Sequence, residues 1–268
     1  MIHDLLAPVQ AIALDAGRAA VDFYGQDIPV EAKADDSPLT LADQASHRLI
    51  TSALTALTPD IPVLSEESKD TAAISETSGD RLWVVDPLDG TKEFIKQTGQ
   101  FTVNIALLEY GWPILGVVHV PVSGVTYLGL KTAEQPGAWV QLPGADREAI
   151  QTRSANLDKL TVVASRDHAG PVVDAFLARL DNAEKTSMGS SLKFCLVAEG
   201  KADFYPRVVP TMQWDTAAAQ CIVEAAGGRV TNLSGDRLDY PKDRLRNPSI
   251  LTFGDTTIDW AKFFGGCE

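Results

Sequence analysis

Apolar positions near the start of the chain recur at helical intervals. Val9, Ile12, Ala13, Ala16, Ala20 and Phe23 repeat every three or four residues, which predicts a helix over Val9–Phe23 with Gly25 as its stop. A polar stretch without strand character, EAKADDSP, follows. The helical interval returns through Leu41, Ala45, Leu49, Ala53 and Leu57, predicting a second helix over Leu41–Leu57 that Pro59 ends. Thr40 is placed as its N-cap, and Asp43 at its third helical position, where a carboxylate favours the helix dipole. The period then shortens. Ile61–Leu64 and Arg81–Val85 (RLWVV) read as strands. From Phe101 to Leu130, β-rich runs broken at Gly111-Trp112-Pro113 and Ser123-Gly124 read as an antiparallel meander.

The segment Gln141–Arg153 (QLPGADREAIQTR) is polar, combines Pro with Gly, and reads as a hinge. Beyond it strands and helices alternate: Leu160–Ser165 as strand, Val172–Leu180 and Leu192–Glu199 as helices, Ala202–Tyr205 as strand. Thr216–Ala226 reads as a helix closed by Gly227-Gly228, and Arg229–Leu233 as a strand. Such alternation favours an α/β unit. The expected organisation is an N-terminal α+β half with an antiparallel sheet over 1–145 and a smaller C-terminal α/β half over 146–268. With 45% hydrophobic residues, 268 residues suffice for a core of that extent.

Charge and special residues narrow the chemistry. A formal net charge of −13 argues against duplex nucleic acid as partner, but admits a small phosphorylated ligand where metal ions offset the repulsion. No apolar run is long enough to span a bilayer, and the opening MIHDLLAPVQ lacks the basic residues of a signal peptide. Cys195, Cys221 and Cys267 fit neither a C-x-x-C pair nor a zinc ribbon, so reduced thiols in a cytoplasmic protein are expected. The four histidines show no H-E-x-x-H spacing, which disfavours zinc chemistry. Neither a P-loop nor G-x-G-x-x-G is present. Peripheral attachment at the inner face of the cell membrane and a homodimer both stay open, though no basic amphipathic helix drives the former.

The most informative run is Asp86-Pro87-Leu88-Asp89-Gly90-Thr91-Lys92-Glu93-Phe94. Pro87 has no N–H and is expected to stop the sheet ladder, and Gly90 supplies a turn position, so that both aspartates face one pocket. Paired carboxylates of this kind suit Mg²⁺, which takes oxygen ligands. Glu66 and Glu67 follow the strand Ile61–Leu64, and Asp215 stands at the head of the helix Thr216–Ala226. Singly, each acid has a structural reading as turn former, solvated residue or helix cap.

In this order, LSEES, DPLDGTKEF and WDTAAAQCIVEAAGG resemble the inositol monophosphatase superfamily of Mg²⁺-dependent, lithium-sensitive phosphatases. The similarity runs from the SPLT-x-AD segment at Ser37–Asp43 to the last strand. It implies a layered α-β-α-β-α sandwich in which Glu66, Asp86, the Leu88 carbonyl, Asp89 and Asp215 hold two or three Mg²⁺ ions. It also implies that Asp43 and Thr91, with Glu66, orient the attacking water. Substrate contacts are implied at Glu66, Leu88, Asp89, Gly90, Thr91, His168, Ser190 and Asp215, while Lys193 and Arg207 read as cations that grip a distal phosphate. Lys92-Glu93-Phe94 and Gly189-Ser190-Ser191-Leu192-Lys193-Phe194 resemble the bacterial 3'(2'),5'-bisphosphate nucleotidases, where inositol monophosphatases typically carry Thr-Asn-Phe at the former place. The implied reaction is hydrolysis of adenosine 3',5'-bisphosphate to AMP and phosphate by direct attack of water, clearing a by-product of sulfate assimilation. Inositol monophosphate or a sugar bisphosphate is the alternative substrate. A non-enzymatic phosphate sensor would require a broken ligand position, and none is visible.

Overall fold

The computed structural model of the chain describes residues 1–26, 31–32, 38–68, 79–164, 170–180 and 182–265. A short 3-10 turn (Ile2–Leu5) leads into α1 (Leu6–Val21), then the two-residue strands β1 (Glu31–Ala32) and β2 (Pro38–Leu39), and α2 (Leu41–Leu57). Next come β3 (Val63–Ser65), β4 (Arg81–Asp89), α3 (Thr91–Ile95), β5 (Thr102–Glu109), β6 (Trp112–His119), β7 (Thr126–Leu130), β8 (Gly137–Gln141) and β9 (Arg147–Ala149). The remainder is β10 (Thr161–Val163), α4 (Gly170–Leu177), β11 (Glu184–Thr186), α5 (Leu192–Ala198), β12 (Phe204–Arg207), α6 (Gln213–Ala225), β13 (Arg229–Asn232), β14 (Ile250–Phe253) and α7 (Trp260–Phe264).

Strands β3 to β9 form one seven-stranded sheet in chain order, antiparallel except for the β3–β4 pair. The second sheet has the order β11-β10-β12-β14-β13, parallel on one side of β12 and antiparallel on the other. Residues of β4 show why the first sheet reads as continuous apolar runs. Trp83 and Val85 pack with Val9, Ile12, Ile50 and Leu54 of α1 and α2. Their neighbours Leu82 and Val84 face the other way, against residues of α5 and α6. A strand covered on both faces has no reason to alternate with polar residues. Helices α5 and α6 are shared with the second sheet through Val163, Tyr205, Val230 and Ile250, and α4 and α7 close its far face through Phe176, Phe204, Trp260 and Phe264. The result is the five-layer α-β-α-β-α sandwich that the resemblance implied.

Close approach fixes how α6 sits on the first sheet. Gly116 of β6 and Gly129 of β7 are cross-strand partners beneath it. A Cβ on Gly129 would stand 2.7 Å from the Ile222 Cα, and one on Gly116 would collide with the Ala218 carbonyl. Helix α6 therefore rests directly on sheet backbone.

Several boundaries differ from the sequence reading, each for a local reason. Helix α1 begins at Leu6, because Pro8 falls in its first turn, where no intrahelical N–H is needed. Residues 31–32 and 38–39 of the polar stretch pair as a minimal antiparallel ladder. The strand at Pro87 does not stop: β4 runs on to Asp89 through a register shift. The expected hinge at 141–153 is instead largely a hairpin, with Trp139 paired to Ala149 and Gln141 to Arg147. Its polarity belongs to β9, an exposed edge strand. The boundary between 145 and 146 thus falls within the β8–β9 turn. The chain then bonds straight to the second half, with the Thr152 N–H donating to the Ala226 carbonyl and Arg153 Nε donating to Asp203 at 2.7 Å.

Candidate active site

The irregularity in β4 aims its two acids. Asp86 pairs with Asn104 and Asp89 with Thr102, so three steps on β4 match two on β5. In a regular strand, residues three apart point to opposite faces. One extra residue at Pro87-Leu88 cancels that reversal and turns both carboxylates to the same side. The bulge is held by the Ser46 hydroxyl of α2, which donates to the Pro87 carbonyl at 2.7 Å, and by the Leu88 N–H, which donates to Asp86 Oδ1 at 3.0 Å. Gly90 follows at φ +93°, a left-handed setting that favours glycine, and starts α3. Phe94 anchors that short helix by edge-on contacts with Tyr24 and Phe101.

Two other helices deliver acids through the same device. Asp43 occupies the third position of α2, and its Oδ2 accepts the Thr40 N–H at 2.8 Å and the Thr40 hydroxyl at 2.5 Å. Asp215 occupies the third position of α6 and accepts the Met212 N–H at 2.7 Å. Both are capping-box acids. Asp215 therefore lies inside its helix, which starts at Gln213 rather than Thr216. Asp43 Oδ1 remains open to Thr91, whose hydroxyl donates to it at 3.4 Å.

Asp86, Asp89 and Asp215 converge, with ligand oxygens within 4.8 Å of one another. Asp86 is 1% exposed. Burial, then the negative fields of Glu66, Asp89 and Asp215, hold its carboxyl well above the usual range. Asp215 is pushed up to about 8 by burial and the Asp89 charge, with the Met212 N–H opposing. No cation among the described residues forms an ion pair with any of the three. Three carboxylates that repel one another, Asp86 buried and Asp89 and Asp215 half-buried, call for a positive charge between them, and an all-oxygen donor set fits a hard divalent cation such as Mg²⁺. Glu66, whose N–H donates to the Val85 carbonyl, contributes its field but stands outside the 4.8 Å cluster. Leu88 is buried in the bulge.

Sequence reasoning named Ser190 as a substrate contact but missed its bond to Asp89, and missed the other residues that orient Asp89. Its Oδ2 accepts from the Ser190 hydroxyl at 2.5 Å, the Ser191 N–H at 2.7 Å, the Ser191 hydroxyl at 2.9 Å and Asn104 Nδ2 at 3.3 Å. All of these donors address one oxygen, leaving Oδ1 to the cluster. Ser190 adopts φ +53°, uncommon outside glycine, and its hydroxyl is fixed between Asp89 and the Thr102 hydroxyl, 2.6 Å away. Alternation in the meander marked Thr102 and Asn104 as strand residues, but no spacing links them to Ser191.

A cleft of ≈ 290 Å³ opens from Asp89 and Asp215 and is lined by Lys92, Glu93, Lys193 and Arg207. Lys193 is 8% exposed, with Nζ 5.8 Å from the centre of the Tyr205 ring and 3.3 Å from the Met188 carbonyl. Burial lowers its pKa to about 8. Arg207 Nε donates to the Val209 carbonyl. Although the chain is strongly acidic, neither cation forms an ion pair among the described residues, and Lys92 forms none either. Ser190 and Gly90 also line this cleft, whereas His168 lies outside the described residues.

A five-layer sandwich with acids from both halves meeting beneath a cationic cleft defines the class: the chain belongs to the inositol monophosphatase family, whose profile matches residues 3–257. Among curated proteins it is similar to the 3'(2'),5'-bisphosphate nucleotidase CysQ of Escherichia coli K12, at 47% identity over 92% of this chain and 98% of that one. The Haemophilus influenzae protein of the same name is 34% identical, over 97% and 96%. Among solved structures, CysQ from Bacteroides thetaiotaomicron, described as a bacterial member of this family, superposes with a TM-score of 0.81 at 39% identity, covering 94% of this chain and 97% of that one. The Thermotoga maritima IMPase gives a TM-score of 0.80 at 25% identity, with 98% of each chain covered.

Proposed function

We propose that this chain is a Mg²⁺-dependent 3'(2'),5'-bisphosphate nucleotidase that hydrolyses adenosine 3',5'-bisphosphate to AMP and phosphate, as a clearing step in sulfate assimilation. The observation that carries the reading is the cleft in which Asp89 and Asp215 of the carboxylate cluster meet Lys92, Lys193 and Arg207, which form no ion pair among the described residues. A substrate with two phosphates uses both ends. One phosphate meets the metal-binding acids and the other meets the cations. The relatives named CysQ support the same assignment.

In this mechanism Asp86, Asp89, Asp215, Glu66 and the Leu88 carbonyl would hold two or three ions. When bound, these supply the acidity that makes water a nucleophile and the charge that neutralises the phosphate. Thr91 donates its own proton to Asp43, so its oxygen is free to accept a hydrogen from the attacking water and aim it. Glu66 borders the same cluster and shares that task. Ser190, Ser191 and Asn104 hold Asp89 in one rotamer, so the ligand geometry exists before substrate arrives. Lys193 and Arg207 fix the distal phosphate, and Gly90 belongs to the turn facing the proximal one. Ser190 and His168 complete the proposed nucleotide contacts. The buried, unpaired thiols of Cys195 and Cys221 suit a cytoplasmic setting, and no helix among the described residues is long and apolar enough to cross a membrane.

The test is phosphate release across a panel of adenosine 3',5'-bisphosphate, its sulfated form, inositol 1-phosphate and a sugar bisphosphate, with and without Mg²⁺ and Li⁺. The nucleotide should give the highest kcat/KM, depend on Mg²⁺ and be inhibited by Li⁺. A higher kcat/KM on inositol 1-phosphate would transfer the chain to the inositol branch.

A further inference from the structure

Among the described residues, Glu93 is the one acid lining the cleft that lies outside the carboxylate cluster. Glu93 projects from α3 beside Lys92, and its carboxylate neither accepts a hydrogen bond nor forms an ion pair among the described residues. Its side chain is nevertheless confined. The Glu93 Oε2 lies 3.2 Å from where a Cβ on Gly90 would stand, and its Cγ lies 2.9 Å from where a Cβ on Gly189 would stand. Gly189 is in turn held by its N–H donating to Gln100 Oε1 at 3.0 Å, and a Cβ there would also stand 2.6 Å from the Gln100 carbonyl. Two glycine backbones therefore leave a slot that the Glu93 side chain fills, and direct its free carboxylate along the Asp89-Gly90 turn.

A carboxylate repels phosphate oxygens, so the part of a phosphorylated substrate suited to meet it is a neutral donor. A nucleoside bisphosphate carries donors of two kinds, the sugar hydroxyl next to the phosphate ester and the amino group of the base. Contact with Gly90 places Glu93 at the metal end of the cleft, where the scissile phosphate goes. The hydroxyl on the carbon adjacent to that ester lies nearer to the scissile phosphate than the base does. Building on the nucleotidase reading, we propose that Glu93 accepts a hydrogen bond from the sugar hydroxyl vicinal to the scissile phosphate and so selects ribonucleotides over deoxyribonucleotides. The donor is the 2'-hydroxyl when the 3'-phosphate is cleaved and the 3'-hydroxyl when the 2'-phosphate is. One acceptor then serves both regioisomers.

The experiment measures kcat/KM for adenosine 3',5'-bisphosphate and its 2'-deoxy counterpart, at saturating Mg²⁺, in wild type, Glu93→Gln and Glu93→Ala. A hydrogen bond to a charged acceptor predicts a wild-type ribo/deoxy ratio of roughly ten to a hundred. Glu93→Ala should bring the ratio close to one by slowing the ribonucleotide alone. Glu93→Gln, which keeps an acceptor oxygen, should fall between. Each ratio is internal to one preparation, so a partly unfolded variant still reports. Phosphate release with a ratio that Glu93→Ala leaves unchanged overturns this inference alone. Release from neither nucleotide overturns the nucleotidase reading, and this inference with it.

Discussion

The Ser191 N–H donates to Asp89 Oδ2 at 2.7 Å, across 102 positions of the chain. Asp89 belongs to the first sheet and Ser191 to the approach to α5, so a ligand of the proposed metal site is oriented by the opposite half of the molecule. The Ser191 hydroxyl lies 2.9 Å from the same oxygen and 2.8 Å from the Asp215 carbonyl, joining the two acids that the halves contribute.

Ser191→Ala should weaken metal binding more than folding. The backbone bond to Asp89 survives, but the hydroxyl that bridges Asp89 and Asp215 is lost. Outer-shell partners of this kind are worth about 10–100-fold in metal affinity or activity. The half-saturating Mg²⁺ concentration for phosphate release should rise by about tenfold or more, with Tm lowered by only a few degrees. An unchanged Mg²⁺ activation curve would show that Ser191 does not position the ligand.

Asp89→Asn should separate stability from turnover. The Asn oxygen can still accept from Ser190 and Ser191, which turns the amide NH₂ toward the other acids, where a cation is proposed to sit. The variant should melt near wild type while kcat drops by about a hundredfold to a thousandfold. Wild-type activity at low Mg²⁺ in this variant would refute the assignment of Asp89 as a ligand.

Without metal, the acid cluster makes stability fall with rising pH. Asp215 is pushed from an ordinary 3.8 to about 8 in the folded chain by burial, and Asp86 is also raised, burial again being the main cause. Between those values the folded chain binds more protons than the unfolded one. This stabilising contribution is complete below about pH 4 and is lost as pH rises toward about 8. In chelator, Tm should decline across that window, and added Mg²⁺ should raise Tm more at its alkaline end than at its acid end. A Mg²⁺ effect on Tm that does not change with pH would contradict this.

Lys193 should impose an alkaline limit on substrate capture. Burial lowers its pKa to about 8, so it is charged below that pH and neutral above it. The kcat/KM for the bisphosphate reports the free enzyme, and should fall as pH passes through about 8. Lys193→Met, of similar length and suited to a buried place, should fold, lose about tenfold or more at neutral pH, and show no such limb. Lys193→Arg should move the limb to higher pH. The same alkaline limb in Lys193→Met would assign it to another group.

Elements set by period and local capping were legible in the sequence. Helix α2 occupies the expected Leu41–Leu57, with Thr40 and Asp43 in their expected capping positions, and the β5–β7 meander stands where alternation put it. The meeting of Asp86 and Asp89 was also anticipated, but through a stop of the sheet ladder at Pro87, whereas a bulge achieves it, and strand period alone does not reveal a register shift. The 141–153 segment misled because an exposed edge strand and a linker share the same polarity. Ser191, Asn104 and Thr102 went unseen for a different reason. Their chemistry depends on which oxygen of Asp89 they address, and that geometry comes from the docking of two sheets rather than from any interval along the chain.

The facing glycines Gly116 and Gly129 act as a gauge block for the whole machine. Because α6 touches bare peptide there, the height of Asp215 above the first sheet is set by backbone-to-backbone van der Waals contact, not by rotamers. A change of volume in a neighbouring apolar side chain leaves this peptide contact in place. The fold thus insulates its most distance-sensitive arrangement from the drift of its own core.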